Sequence, residues 1–333
     1  MLGWGLIGAS TIAREHMLPA INAQPDSRVV AVLSSDPSRA QLYAADLGIQ
    51  RVHATLPEML ADPEIDVVYI STTNDQHAPQ TIAAAQAGKH VLCEKPLALN
   101  LEDARSMIEA CQRAGVTLGT NHHLRNAVTH RTLRRLVADG TIGEPLAARV
   151  FHAVSLPAHL RGWRVQRPKA GGGVIFDITV HDTDTLRFIL DDEVAEVTAL
   201  SANQGLAGAD LEDAVMGVMR FSGGTLAQFH DAFTIRHART GLEVHGTDGS
   251  LYAIDVMTQA PTGVITLRRD GREATVDTGP HENLYERSVR QFNLAVQGRG
   301  QPAATGEDGL QSLAVALAVH RSAREGRTVT VSR

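Results

Sequence analysis

A charged corner directly after an apolar run carries the first candidate for chemistry. Residues 90–93 (HVLC) predict a buried strand, and Glu94, Lys95 and Pro96 follow it at once. Charged side chains are rarely buried without a partner and proline is excluded from central strands, so the strand must end here. Lys95 is a candidate donor to a substrate oxygen, and a cis bond at Pro96 would aim it. The alternative is an exposed Lys–Glu pair, which stabilises a fold very little.

A carboxylate and an imidazole four residues apart form the second candidate. Glycines at 171–173 precede a pattern that predicts a helix, and Asp177 and His181 fall on one face of it. Asp184 continues that face. A histidine beside a carboxylate titrates near neutrality and is suited to proton transfer. The pair could also be structural or bind a metal, but no third ligand is evident, so we predict no metal site.

The segment GLIGASTIA, residues 5–13, predicts a phosphate-binding turn. It indicates a strand, a glycine turn and a helix, the context that a dinucleotide fingerprint requires. The N–H groups and positive dipole end of a helix that starts near Thr11 would face a pyrophosphate. Ser10 replaces the middle fingerprint glycine, and Ala13 is a permitted variant of the third. The alternative is a strand–turn–helix that packs without a ligand. The expected cofactor contacts here are Gly8, Ala9, Ser10, Thr11, Ile12 and Ala13.

The end of the next strand, VVAVLSSDPSR, indicates which dinucleotide is bound. An acidic residue at this point would hold a ribose 2′-hydroxyl, whereas a nearby arginine accommodates a 2′-phosphate. Ser34 and Ser35 occupy the tip and Arg39 follows in the next helix, so we favour NADP over NAD as the cofactor. Asp36 is the counter-candidate, although it could cap the helix instead.

Two further strand tips, YISTTNDQHA and the Glu94–Lys95 corner, lie at the same predicted carboxyl edge, where open α/β sheets bind ligands. A polar loop that caps the following helix would also explain the first tip, and His77 could equally be a structural histidine. The expected cofactor contacts at the two tips are Ser71, Thr72, Thr73, Asn74, His77, Glu94 and Lys95.

Short apolar runs alternate with amphipathic stretches over residues 2–121. This alternation predicts βαβ units and a parallel sheet covered on both faces. We therefore predict an α/β Rossmann domain over residues 1–121 that binds the dinucleotide. The predicted strands are 2–7, 28–33, 67–71, 90–93 and 117–119, and the predicted helices are 12–23, 38–47, 56–61, 79–86 and 101–114.

Alternating, strand-like runs dominate after a bridging helix at about 129–139. Turns such as Ser222-Gly223-Gly224 separate them, as hairpins require. We predict an α+β domain over residues 122–333 with a largely antiparallel sheet. The predicted strands are 146–153, 194–202, 214–221, 225–234, 240–246, 249–254 and 264–269, and the predicted helices are 175–190, 284–296 and 306–323.

Composition and charge limit the partners. The 333-residue chain has a formal charge of −6, which argues against a nucleic-acid partner. No run of about 18 apolar residues predicts a membrane span, and the apolar stretch from Leu2 lacks the basic residues that begin a signal peptide. Cys93 and Cys111 show no disulfide or CxxC pattern. We expect a cytoplasmic protein without nucleic-acid or membrane partners.

Together these segments resemble the Gfo/Idh/MocA oxidoreductase family over nearly the whole chain. The matching motifs are GASTIA, TTNDQHA, EKPLALN and the three glycines followed by Asp177 and His181. The resemblance implies a Rossmann domain followed by an α+β domain for substrate binding and oligomerisation, whose open sheet commonly makes subunit contacts. It also implies that Lys95, Asp177 and His181 are catalytic.

Other segments sharpen the resemblance or depart from it. GWR, residues 162–164, resembles a Trp-Arg element that approaches the nicotinamide in some members, so Trp163 and Arg164 join the expected cofactor contacts. Trp163 could otherwise be core. Thr73 stands where the family often has proline, and the absence of an acid at Ser34 fits the NADP branch.

The resemblance implies oxidation or reduction of sugars or cyclitols. The pattern is most similar to members that use NADPH to reduce the C2 ketone of an anhydrosugar to the mannitol epimer. His181, oriented by Asp177, would protonate the developing alkoxide, and Lys95 would hold or polarise the same oxygen. The sequence leaves open which of the two transfers the proton. The alternatives are an inositol or aldose dehydrogenase, a glycosidase that uses nicotinamide transiently, and a nicotinamide-binding sensor without chemistry.

Overall fold

The computed structural model describes residues 1–332, which form two compact units. The first unit consists of residues 1–123 and 285–310, and the second of residues 124–284 and the described residues from 311 onward. Residues 285–310 thus belong to the first unit, although sequence patterns assign them to the second domain. The reason is a long-range contact, since Phe292 packs against Trp4 with ring centroids 5.6 Å apart. Such a contact leaves no local signal in the sequence.

The first unit contains a six-stranded parallel sheet, which confirms the predicted Rossmann-type domain. Its strands are β1 (Leu2–Ile7), β2 (Ser27–Leu33), β3 (Arg51–His53), β4 (Val67–Ile70), β5 (His90–Cys93) and β6 (Leu118–Thr120). Their order is β3-β2-β1-β4-β5-β6, so the order in which the strands are added reverses between β1 and β4. Ligands bind at this switch point in open α/β sheets. The sequence does not predict β3, because this short edge strand has only one apolar residue, Val52.

Helices connect these strands, as parallel pairing requires. They are α1 (Leu18–Asn22), α2 (Pro37–Leu47), α3 (Leu56–Ala61), α4 (His77–Gln86) and α5 (Leu101–Ala114), with a π-helical turn at Ala13–Met17 and a 3₁₀ turn at Asn74–Gln76. Asp36, Thr55 and Asn100 precede α2, α3 and α5, and each side chain accepts a hydrogen bond from the amide three residues on. These are N-caps, so Asp36 has the capping role that the sequence analysis offered as an alternative.

The second unit contains a nine-stranded sheet. Its strands are β7 (Pro145–Ala153), β8 (Val194–Ala202), β9 (Ala214–Phe221), β10 (Leu226–Ala232), β11 (Gly241–Gly246), β12 (Ser250–Ile254), β13 (Val264–Arg269), β14 (Arg272–Thr275) and β15 (Val329–Thr330). The order is β14-β13-β12-β11-β7-β10-β9-β8-β15. The β7–β10 pair is parallel and the other pairs are antiparallel. This confirms the largely antiparallel sheet.

The remaining helices are α6 (Val128–Ala138), α7 (Ala158–Gln166), α8 (Val180–Leu190), α9 (Leu284–Val296) and α10 (Gly306–Glu325), with 3₁₀ turns at His123–Asn126 and Pro168–Ala170 and a π-helical turn at Ile175–Thr179. The sequence does not predict α7, because Gly162 interrupts it with a φ of +21°. In α8 even the polar residues 181–185 are buried, so they need polar partners inside the fold. No helix within residues 1–332 is long and apolar enough to cross a membrane.

Candidate active site

The turn after β1 is built around Gly8, whose φ is +112°. L-residues with a side chain rarely adopt this conformation. A Cβ atom at Gly8 would also lie 3.0 Å from the backbone carbonyl group of Ser71, at the end of the neighbouring β4. Glycine therefore lets the backbone of this turn pass close to the end of β4. Ala9 continues this turn.

Ser10 links the turn to the tip of β4. Its Oγ lies 2.7 Å from Ser71 Oγ and accepts a hydrogen bond from the amide of Ala13 at 3.1 Å. Tyr43 Oη donates to the Ser10 carbonyl oxygen at 3.1 Å. Ser10 therefore caps the helical turn that begins at residues 11–12, where first-turn amides can meet a phosphate.

Arg39 and Ser34 meet at the tip of β2. The Arg39 guanidinium donates to Ser34 Oγ from Nη2 at 2.9 Å and from Nε at 3.2 Å, while the Arg39 amide donates to Asp36 at 3.1 Å. Arg39 is exposed, as is the neighbouring Ser35. The tip thus presents hydroxyls and a fixed guanidinium, and the one nearby carboxylate is occupied as a helix cap. This chemistry suits a phosphate.

The tip of β4 is held by its own hydrogen bonds. Thr72 Oγ1 donates to Gln80 Oε1 at 2.7 Å, and Asn74 is buried just beyond the half-buried Thr73. His77 is fully buried, and its Nδ1 lies 2.9 Å from the carbonyl oxygen of Pro96. Burial lowers the pKa of His77, so a neutral ring supports the turn after β5.

The turn after β5 is anchored by Glu94. Glu94 Oε1 accepts hydrogen bonds from Tyr69 Oη at 2.5 Å and from Asn121 Nδ2 at 2.6 Å. Burial raises the pKa of Glu94, and these two donors together with Lys95 oppose that rise. The Lys95–Pro96 bond is cis. Glu94 thus fixes the backbone from which the half-buried Lys95 extends.

In the second unit, Asp177 lies in the π-helical turn before α8. Arg164 Nε lies 3.3 Å from Asp177, and the Arg164 guanidinium carbon stands 4.9 Å from the Trp163 ring centroid. These contacts bring together three of the predicted site residues. The other π-helical turn, Ala13–Met17, follows the glycine turn. Such turns are rare and occur frequently at functional sites.

His181, at the start of α8, is buried beside a second histidine. The ring centroids of His181 and His152 are 6.4 Å apart, and His152 Nδ1 lies 2.7 Å from Asp182 Oδ1. Asp184 does not simply extend the Asp177–His181 face, because it forms a buried ion pair with Arg125 at 2.8 and 2.7 Å. That pair is a structural brace.

Sequence reasoning missed several of the supporting residues. Tyr69 is hidden in an apolar strand and His152 in an alternating one, so neither gives a local signal. Asn121 could have been found, because it directly follows the strand β6 and lies at the same carboxyl edge as Lys95.

The residues present fit a bound dinucleotide in the first unit. A glycine turn allows close backbone approach, helix first-turn amides follow it, and a guanidinium stands at the tip of the second strand. The second unit supplies buried imidazoles and carboxylates suited to proton transfer.

Comparisons with known proteins agree with a dinucleotide-binding first unit. Residues 2–122 match the oxidoreductase family with an NAD-binding Rossmann fold, and residues 130–252 match the GFO/IDH/MocA C-terminal domain. The chain is 55% identical to 1,5-anhydro-D-fructose reductase of Ensifer adhaerens, over 98% of each chain.

Two solved structures are similar along nearly their whole length. Aldose–aldose oxidoreductase from Caulobacter crescentus, complexed with glycerol, is 28% identical with a TM-score of 0.90, over 99% of each chain. Levoglucosan dehydrogenase in complex with NADH and levoglucosan is 25% identical with a TM-score of 0.88, over 100% of each chain.

Proposed function

The chain belongs to the Gfo/Idh/MocA oxidoreductase family, and on that premise we propose that it uses NADPH to reduce the C2 ketone of 1,5-anhydro-D-fructose, giving 1,5-anhydro-D-mannitol. The observation that carries this proposal is the 55% identity to a 1,5-anhydro-D-fructose reductase. Because the similarity spans 98% of both chains, it includes the cofactor-binding half and the half proposed to bind the substrate.

The NAD(P)-binding Rossmann fold holds the cofactor, and our proposal is that NADP is preferred to NAD. The contact between Arg39 and Ser34 supports this preference, because it fixes a guanidinium where the 2′-phosphate of the ribose would bind. The proposed cofactor contacts are Gly8, Ala9, Ser10, Thr11, Ile12, Ala13, Ser34, Ser35, Arg39, Ser71, Thr72, Thr73, Asn74, His77, Glu94, Lys95, Trp163 and Arg164.

The proposed chemistry needs a hydride and a proton. A bound nicotinamide cofactor supplies the hydride to the carbonyl carbon. His181 donates its proton to the developing alkoxide, and Asp177 orients this acid. The ammonium of Lys95 stabilises the same negative charge, which grows only in the transition state. Lys95 is the alternative proton donor, and Glu94 fixes its backbone through the bonds to Tyr69 and Asn121.

A substrate panel tests this proposal. The purified protein is assayed with 1,5-anhydro-D-fructose and NADPH, with NADH in place of NADPH, and with myo-inositol or aldoses and the oxidised cofactors. We expect the highest kcat/KM for the anhydroketose with NADPH and the mannitol epimer as product. A higher kcat/KM for inositol or an aldose would replace this assignment.

The second candidate is a sugar dehydrogenase of the same family, favoured by the likeness to the aldose–aldose oxidoreductase. The panel separates the two candidates directly. A non-catalytic NADP-binding sensor is the candidate from another class, and it would bind NADPH without turning over any member of the panel. Lys95, Asp177 and His181 argue against it, because a sensor has no need of an acid and its orienting carboxylate.

We also propose that copies of the chain associate through the open face of the second unit's sheet. The register places one row of residues across six neighbouring strands: Leu200, Met216, His230, Phe151, Gly241 and Ile254. Leu200 and Met216 are 74% and 52% exposed. Contiguous exposed apolar surface of this kind marks interaction sites.

The proposed location is the cytoplasm. Cys93 and Cys111 are both buried free thiols, which suits a reducing compartment. Fractionation of cells that express the chain would test this proposal, because recovery outside the cytoplasm contradicts it.

A further inference from the structure

Two carboxyl groups lie fully buried in the second unit, next to the proposed acid. Asp182 follows His181 in α8, and Asp231 lies in β10. Both side chains are 0% exposed. Thr179 Oγ1 donates to Asp231 Oδ2 at 2.6 Å, and His152 Nδ1 lies 2.7 Å from Asp182 Oδ1. One oxygen of each carboxyl therefore has an assigned partner.

The second oxygen of each carboxyl lacks a hydrogen-bond donor in the part of the chain that the structure describes. Asp182 Oδ2 and Asp231 Oδ1 are buried, and no donor within residues 1–332 satisfies either of them. The register of the parallel β7–β10 pair places Asp231 beside His152, and His152 contacts Asp182, so both carboxyl groups lie next to one imidazole. Besides burial, a side-chain hydrogen bond between Asp182 and Asp231 acts on the pKa of each. Two acceptors in this position are satisfied only if a proton lies between them, and two adjacent ionised carboxylates repel each other without solvent to separate them.

We propose that Asp182 and Asp231 form a carboxyl pair that shares one proton, and that the single negative charge on this pair positions His152 through its Nδ1–H beside the proton donor His181. The link to His181 rests on the proposed function. The two aspartates act through His152 and are positioning residues, because neither side chain is exposed to a substrate.

The surroundings of the pair support a single charge. Burial raises the pKa of Asp182 to about 7, and burial together with Asp182 raises the pKa of Asp231 well above its usual value. On α6, burial lowers the pKa of His130 to about 4, so that ring is neutral. In α8, the charge of Asp184 is already neutralised by Arg125. His152 on β7 contacts the pair through Asp182, and the ring of His181 on α8 lies 6.4 Å from the ring of His152.

A fixed tautomer is the chemical consequence for His152. A carboxylate oxygen can only accept, so Nδ1 must carry the hydrogen and Nε2 is left as the acceptor of a neutral ring. The ring is then held in one orientation, 6.4 Å from the ring of His181. An ordered imidazole beside the acid keeps its own tautomer and orientation fixed while His181 gives up its proton.

The number of charges in the pair can be counted with asparagine substitutions. Asparagine has the shape of aspartate and carries a fixed amide donor, so Asp182→Asn or Asp231→Asn alone reproduces a pair with one proton and one charge. We expect each single variant to keep kcat within about threefold of wild type near pH 7. Asp182→Asn/Asp231→Asn removes the last charge, and we expect kcat to fall by about tenfold or more, with a changed pH profile.

The matched control is Asp213→Asn. Asp213 is also fully buried in this unit, but its carboxylate accepts hydrogen bonds from the loop amides of Gln204, Leu206 and Ala207. A merely structural carboxylate of this kind should lower the unfolding temperature when replaced, without changing the pH profile of kcat.

Nitrogen NMR of His152, assigned with His152→Gln, gives a readout that does not need the reaction. We expect the Nδ1–H tautomer in the wild type and both single variants, and its loss in the double variant. Loss of the tautomer or of kcat in either single variant overturns the shared proton. The single variants therefore still test the proposal if the double variant does not fold. Retention of both properties in the double variant also overturns the proposal. If no sugar ketone is reduced, the proposed function fails while the NMR result still decides on the pair.

Discussion

At the scale of single residues, His181 carries the proposed acid chemistry. His181→Ala should lower kcat for ketone reduction by about 10²–10⁴-fold, the usual contribution of a general acid. The KM for NADPH should change little, because the proposed phosphate contacts are not altered. His245→Ala, on β11, is the control and should retain wild-type turnover. Near-normal turnover of the His181 variant in steady-state assays would remove this residue from the mechanism.

Arg39 should determine the choice between the two nicotinamide cofactors. Its guanidinium is fixed on Ser34, so Arg39→Ala should raise the KM for NADPH far more than the KM for NADH. Arg113→Ala, another exposed arginine of the first unit, should change neither constant. Equal effects of the Arg39 variant on both KM values would place the 2′-phosphate elsewhere.

The raised pKa of Asp182 makes stability depend on pH with a definite sign. The folded pair keeps a second proton, assigned to Asp182, below about pH 7 and shares a single proton above it, whereas Asp182 in the unfolded chain releases its proton at about pH 3.9. The folded state binds more protons within that window, so this contribution to stability is lost as pH rises through it. Thermal unfolding of the wild type and Asp182→Asn measures it. The unfolding temperature of the wild type minus that of the variant should be larger near pH 5 than near pH 8. A difference that does not depend on pH contradicts the raised pKa of Asp182.

At the scale of elements, the turn after β1 should affect both the unfolding temperature and the affinity for NADPH. Gly8→Ala places a side chain at a φ of +112° and against the carbonyl of Ser71, which should cost about 1–3 kcal/mol. Both the unfolding temperature and NADPH affinity should fall. Gly48→Ala is the control, because Gly48 also has a positive φ but no neighbouring atom within 4 Å. Its NADPH affinity by calorimetry should equal that of the wild type, and an equal loss in both variants would contradict the role of the turn.

The strands and helices that the sequence predicts are those with a strong local pattern. β1 and β5 are predicted with their observed ends, because each is an apolar run bounded by turn residues. β3 and β14 are short, and their residues lack an apolar run or a buried alternation, so nothing marks them. The helix α7 is missed for a different reason, because Gly162 interrupts it.

The candidate site likewise contains residues that the sequence predicts and contacts that it does not. Lys95, Asp177 and His181 lie in motifs that can be recognised along the chain. The pairing of Arg164 with Asp177, and that of His152 with Asp182, depends on tertiary packing. Asp231 and Thr179 meet although they are 52 positions apart. No local spacing predicts such partners.

At the scale of the whole molecule, the open sheet face should govern assembly. Leu200→Glu/Met216→Glu puts charges on the exposed row and should convert an oligomer into a monomer by light scattering, with kcat in the monomer as a second readout. Leu42→Glu is the control, because Leu42 is 70% exposed on α2 and lies outside this face. A monomeric wild type, or an unchanged mass in the double variant, contradicts association through the sheet.

The transfer of hydride to the sugar ketone is the central claim, and isotope transfer tests it most directly. The protein is incubated with 1,5-anhydro-D-fructose and NADPH deuterated at the transferable position, and the product is examined by NMR. The account predicts 1,5-anhydro-D-mannitol with deuterium at C2. Absence of deuterium at C2, or deuterium in the glucitol epimer, would contradict it.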